Sequence, residues 1–448
     1  MIRKYELTAA ETADRLSRSE ARLQGSYYQM PDVFQSPDAD WPGDKEGRAL
    51  LAFVSHYKAT GHINPCMEQL LEALPAHTNA QLYFGPDACH EIFEQQLSGH
   101  SWLLRGLCEH YEQFGDAFSR RALESVTEGL YLPTAGRYAG YPVERDPHEL
   151  QSGGVSGHTT TGKYDGWRLS TDVGCAFMSI DGLSHVYRIT RDARVKALLD
   201  EMIGVYCAID KVRLRAQTHC TLTAARGMVR MYDTTGDGAY LAGAQDIFNL
   251  YVFGGGMDAV YQNLNWWGRP DTWTEPCAIV DSLMLSGELY RATGKEKYRR
   301  CAARIFRNGL ASSQRVDGGA GTDSVVFRDQ PGFADCDTLR LLGWEAPFCC
   351  TMRLAEGLWY AQSHRDMLYC EAELAEDGTP IVRKDGYGRY MCGDFVLAEA
   401  SVPDGETPKD WSIPAPLTVA DGHRLSPLVK FYGIPADAAR VLRQRILF

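Results

Sequence analysis

Tyr232-Asp233-Thr234-Thr235-Gly236-Asp237 is the stretch on which the fold turns. A helix that reaches Gly can stop there, because Gly adopts the left-handed conformation without a Cβ clash. The Asp that follows can cap a new helix by accepting a hydrogen bond from its free N–H groups. The same mark returns at Tyr111-Glu112-Gln113-Phe114-Gly115-Asp116, Tyr187-Arg188-Ile189-Thr190-Arg191-Asp192 and Tyr290-Arg291-Ala292-Thr293-Gly294-Lys295. Degenerate copies stand at Tyr57-Lys58-Ala59-Thr60-Gly61-His62 and Tyr360-Ala361-Gln362-Ser363-His364-Arg365. Each mark is expected to join two antiparallel helices, and residues 198–209 and 239–251 carry apolar residues at helical spacing. Six marks predict six hairpins, the count of an (α/α)6 toroid. A helical solenoid is the alternative, but its repeats would be evenly spaced and these are not.

Outward from these marks, the chain divides into residues 1–365, the (α/α)6 barrel, and residues 366–448, a small β-rich appendage. Residues 367–372 and 389–400 read as strands, and 403–416 as a Pro-rich connector. Loops 153–167, 254–274 and 317–347 are rich in Gly, Trp, Asp and Thr. Long loops in a compact domain usually carry function.

The formal net charge of −12 argues against a nucleic-acid partner, which needs a basic surface. No apolar run approaches the roughly 20 residues of a membrane span. The N-terminus has no apolar signal segment, so the expected location is cytoplasmic. Thirteen cysteines, an odd number, are then expected to be reduced. A homo-oligomer stays open.

Two segments offer chemistry. Thr274-Glu275-Pro276-Cys277 should open a helix, since Pro is tolerated where its missing N–H would be unpaired. Phe348-Cys349-Cys350-Thr351-Met352-Arg353 should lead into another. Together they present one carboxylate and three thiols, a donor set that suits Zn2+. Read alone, each fragment fits an ordinary helical core as well as a metal site.

At these residues the sequence resembles the zinc-dependent β-L-arabinofuranosidases, glycoside hydrolase family 127 and its relatives. The resemblance runs over about residues 164–358. Its most specific parts are Thr274-Glu275-Pro276-Cys277-Ala278, the 314–323 loop with its Gly-Gly-Ala-Gly, and Cys349-Cys350-Thr351-Met352-Arg353. It implies an (α/α)6 barrel with β-sandwich domains, zinc held by Glu275, Cys277, Cys349 and Cys350, and Cys349 as nucleophile. It also implies a retaining glycosidase acting on a small carbohydrate or glycoconjugate, a β-L-arabinofuranoside being one example. The thiolate would attack the anomeric carbon and a second group would serve as acid and then base.

The sequence departs from the family at that second group. The family's acid is a glutamate in the loop before the Glu-x-Cys motif, and residues 256–267 contain none. Asp258 is the nearest substitute and Asp271 a weaker one. Asn265, Trp266 and Trp267 could form a sugar platform or a buried wedge. His219 could bind substrate or be a structural histidine. Tyr164 and Trp167 lie in a loop that could line the cleft, and Asp172 could be a helix cap. Two other readings stand beside the glycosidase. One is a zinc lyase or transferase of biosynthetic type without the usual acid. The other is a binding or scaffold protein with zinc as a structural clamp.

Overall fold

The structure of the chain, a computed structural model, describes residues 1–35, 41–87, 91–144, 157–160, 164–258, 261–269, 274–315, 317–322, 344–378, 381, 383–384, 390–397, 417–418 and 424–425. Asp271, residues 323–343 and most of the tail lie outside the described residues. The fold class is mainly α. Its longer helices among the described residues are α1 (Ala9–Leu23), α2 (Asp44–Thr60), α3 (Pro65–His77), α4 (Glu94–Phe114), α5 (Ala117–Val126), α6 (Ser179–Thr190), α7 (Ala193–Ala208), α8 (Thr218–Thr235), α9 (Gly238–Phe253), α10 (Pro276–Thr293), α11 (Glu296–Arg304) and α12 (Cys350–Ser363).

All six sequence marks end helices by one device. The N–H four residues after the Tyr donates to the Tyr carbonyl: Gly61 to Tyr57, Gly115 to Tyr111, Arg191 to Tyr187, Gly236 to Tyr232, Gly294 to Tyr290 and His364 to Tyr360, at 2.7–3.1 Å. In the first five the stopping residue has φ between +58° and +78°, which Gly reaches freely and Arg191 at a cost of about 1 kcal/mol. New helices then start on side-chain caps. Asn64 accepts from Cys66 N–H, Asp116 from Ser119, Asp192 from Arg194 and Asp237 from Ala239. Each such cap contributes about 1 kcal/mol. The sixth mark corrects the expectation. It ends α12, but the chain then enters a 3-10 turn and a strand, so this mark does not join two helices.

The chain forms two compact units. One comprises Glu20–Gly256 and Trp266–Arg269. Here α2, α4, α6 and α8 pack side by side, and α5, α7 and α9 back onto α4, α6 and α8. The N-terminal parts of α2, α4 and α8 are buried on every face. The backing helices bury one stripe, in α7 Val195, Leu198, Leu199, Met202, Ile203 and Tyr206. Close helix approach needs small residues at the crossing. A Cβ on Gly47 of α2 would lie 2.2 Å from the Leu103 nitrogen of α4.

The other unit comprises Met1–Ser19, Met257–Asn265 and Pro270–Phe448. In it α10 forms a hairpin with α11 and packs beside α12. Strand Cys370–Glu373 pairs antiparallel with Ile2–Tyr5, and Arg383–Lys384, Tyr390–Cys392 and Phe395–Leu397 make a three-stranded sheet. Asp394, almost fully buried, fixes this sheet to α11 by accepting from Arg300 at 2.9 Å and Arg304 at 2.8 Å. No helix among the described residues is long and apolar enough to cross a membrane.

Candidate metal and active site

Glu275 occupies the extended N-cap position of α10, and Pro276 follows where no N–H is needed. Cys277 then lies in the first turn. Cys349 caps α12 with φ −144° and ψ −62°, a bend that lets adjacent thiols face one another. The result is that Glu275, Cys277, Cys349 and Cys350 place one ligand atom each within 4.8 Å of all the others. Cys350 Sγ lies 3.5 Å from Cys277 Sγ and 3.5 Å from Cys349 Sγ. A disulfide would require about 2.05 Å. Two sulfurs about 2.3 Å from one ion at the tetrahedral angle would sit about 3.8 Å apart, so the spacing fits a shared cation. The sequence motifs thus meet in space as the zinc expectation requires.

The electrostatics agree. Burial, then the neighbouring Cys277, push the Cys350 thiol well above its usual range. Three thiols and a carboxylate packed this closely repel as anions unless a cation joins them. Both ligand-bearing helices point their N-termini here, which favours negative charge. Cys277 and Cys350 are fully buried, while Cys349 and Glu275 keep 9% exposure. Of the three cysteines, only Cys349 keeps any exposure.

The rest of the motif builds the support. Thr351 Oγ1 donates to Glu345 Oε1 at 2.9 Å and accepts from Ala320 N–H at 3.1 Å, tying the Gly-Gly-Ala-Gly loop to α12. A Cβ on Gly318 would lie 1.9 Å from the Arg18 carbonyl oxygen, and its φ is +92°, so the loop needs glycine there. One turn below the thiols, Arg353 of α12 donates to Asp281 of α10 at 2.6 Å, and both are wholly buried. Arg353 also pairs with Glu356. Sequence reading missed this clamp, though Cys277 to Asp281 and Cys349 to Arg353 share an i,i+4 spacing that places each pair on one helix face.

Asp258 is bonded to Gln262. Its Oδ1 accepts from Gln262 N–H at 2.8 Å, and its own N–H donates to the Gln262 carbonyl. Next to Gln262 stands Asn263, whose Oδ1 accepts from Glu275 N–H at 2.7 Å, so Asp258 is tied to the residues that hold a ligand residue. Asn265 is fully buried in the same unit.

The other sequence candidates lie in the unit of Glu20–Gly256 and Trp266–Arg269. His219 is buried and stacked on Trp102, with ring centroids 5.7 Å apart. Trp266 is buried and donates to the Thr171 carbonyl at 3.2 Å. Trp267 is completely buried, bonded to Thr221 and edge-on to Tyr251. It packs as a wedge in the core, one of the two arrangements expected for this residue. Trp167 is buried between Tyr138 and Tyr141, and Tyr164 is half-buried. The Asp172 carbonyl accepts from Cys175 N–H at the start of a 3-10 turn.

Comparison with known proteins gives one family. Residues 181–363 match the model of the β-L-arabinofuranosidase GH127 catalytic domain. No curated protein matches the chain by sequence. Among solved structures, a GH127 β-arabinofuranosidase aligns over 92% of this chain and 67% of its own, at 11% identity and TM-score 0.52. A glycoside hydrolase aligns over 89% of this chain and 65% of its own, at 13% identity and TM-score 0.50. An unsaturated glucuronyl hydrolase specific for heparin aligns over 80% and 98%, at 11% identity and TM-score 0.53. The chain thus spans about two thirds of the length of the first two, and at these identities the likeness is one of fold, the (α/α)6 type. The family match covers under half of the chain, spans α10 and the whole of α12, and includes all four residues of the donor cluster, so this stretch is similar to the GH127 catalytic domain.

Proposed function

We propose that the chain is a retaining glycosidase with Cys349 as nucleophile, its zinc held by Glu275, Cys277, Cys349 and Cys350, acting on a small sugar or glycoconjugate of the β-L-arabinofuranoside class. The observation that carries the reading is the four-donor cluster within 4.8 Å, with Cys349 the one cysteine of the three that keeps any exposure. Bound zinc would keep the thiols ionised at neutral pH.

The chain's own groups would then act in two steps. The Cys349 thiolate attacks the anomeric carbon, a C–S bond forms, and the glycosidic C–O bond breaks. The leaving oxygen takes a proton from an acid, the part assigned to Asp258. In the second step water attacks the same carbon, gives its proton to the Asp258 carboxylate, and returns Cys349 as thiolate. The bond from Gln262 N–H to Asp258 Oδ1 supports a placed carboxylate.

The test is mass spectrometry of protein incubated with a furanoside carrying a cysteine-reactive group at the anomeric position. The proposal expects a single adduct on Cys349, absent in Cys349→Ala. Labelling elsewhere, or none, together with no hydrolysis of any aryl pentofuranoside or pyranoside, would reject it in favour of a structural zinc clamp.

A further inference from the structure

We infer that Asn263 is a positioning residue for the metal ligand Glu275, and that the bonded residues Met257, Asp258, Gln262 and Asn263 are a prebuilt support for the cation. The inference rests on the zinc reading above and goes beyond it by assigning a role to a residue outside the donor set.

The argument starts from a backbone problem. Glu275 is the N-cap of α10, and the N–H groups at a helix start have no partner within the helix. A cap's side chain serves the N–H groups two or three residues further on, so its own N–H needs an acceptor from elsewhere. Glu275 makes no side-chain capping bond. In a ligand residue that carboxylate is wanted for the cation instead. The Glu275 N–H is taken up from outside, by Asn263 Oδ1 at 2.7 Å, with Asn263 fully buried.

Asn263 is itself held. Its backbone pairs antiparallel with Met257, and Asp258 and Gln262 exchange bonds. The Gln262 side chain, also fully buried, donates to the Gly309 carbonyl at 3.3 Å and to Ser313 Oγ at 3.1 Å. The accepting oxygen of Asn263 is therefore fixed before any ion arrives. Partners that orient ligand residues typically matter by 10- to 100-fold in metal affinity. Since these bonded residues include Asp258, this support also fixes the proposed acid relative to Glu275.

The experiment is zinc competition against a chromophoric chelator, using wild type, Asn263→Ala and Asn263→Asp, with thermal unfolding of the chelator-stripped proteins alongside. Asn263→Ala should bind zinc about tenfold or more weakly, while its stripped form melts within a few degrees of stripped wild type. Asn263→Asp keeps the accepting oxygen, and its added negative charge does not oppose a cation, so it should retain zinc within a few-fold of wild type. Equal affinity in Asn263→Ala and wild type would overturn the inference. So would an equal loss in both variants, because the accepting oxygen would then not matter. If Asn263→Ala fails to fold, the Asn263→Asp arm alone decides. Wild type that takes up no zinc would instead sink the zinc reading, and the two failures are distinct.

Discussion

Replacing Arg353 by Met tests whether the clamp beneath the thiols holds α10 and α12 together. Arg353 and Asp281 have no exposed side-chain surface, and Glu356 has about 2%. Methionine refills most of the arginine stem, so the cavity contribution is small. What changes is charge. Two buried carboxylates lose their cation, and breaking one buried pair already costs about 3–5 kcal/mol. Against a typical domain stability of about 5–15 kcal/mol, that is a third or more. The assay is urea unfolding by far-ultraviolet circular dichroism on chelator-stripped protein, so that lost metal does not enter the comparison. The variant's midpoint should fall by the equivalent of at least about 3 kcal/mol. The triple variant Asp281→Asn, Arg353→Met, Glu356→Gln should recover much of it, because no uncompensated charge remains. Arg353→Met within about 1 kcal/mol of wild type would refute the reasoning, since such a value belongs to exposed pairs.

Two further outcomes follow from the same physical picture. Asp258→Asn should cripple hydrolysis of substrates with poor leaving groups yet spare much of the first step with activated aryl leaving groups, which need little protonation; wild-type kinetics on both would remove Asp258 from the mechanism. Burial pushes the His100 imidazole down to about 4. Its Nε2 accepts from Phe84 N–H at 2.9 Å while Nδ1 faces the Gln96 carbonyl at 2.8 Å, so protonation would break the first bond. The folded pKa is below the unfolded one, so His100 adds nothing above about pH 6.5 and subtracts stability as pH falls toward 4. An NMR titration showing His100 protonating near 6.5 would contradict this.

Helix ends were the most legible part of the fold, because Tyr-x3-Gly and the Asp after it are local chemistry. Gly236 and Asp237 do in three dimensions what their types dictate. The sixth mark misled because a stop signal at His364 says nothing about what comes next; pairing with Ile2–Tyr5, more than 360 residues away, decides that a strand follows. The donor cluster was legible through two short motifs and a family resemblance, not through spacing alone, since 72 residues separate Cys277 from Cys349. Its support was not. Asn263 and Arg353 have ordinary types at ordinary positions, and only packing shows that one accepts from Glu275 and the other meets Asp281. Trp267 was ambiguous for a similar reason: an indole reads alike as sugar platform or core wedge until its burial is known.

X-ray absorption at the zinc edge, on protein purified without chelator, tests the central claim most directly. The account predicts one zinc per chain, coordinated by three sulfurs at about 2.3 Å and one oxygen at about 2.0–2.2 Å. It also predicts loss of one sulfur from that shell in Cys277→Ser. Protein without metal, or zinc in a shell of nitrogen and oxygen alone, would contradict it.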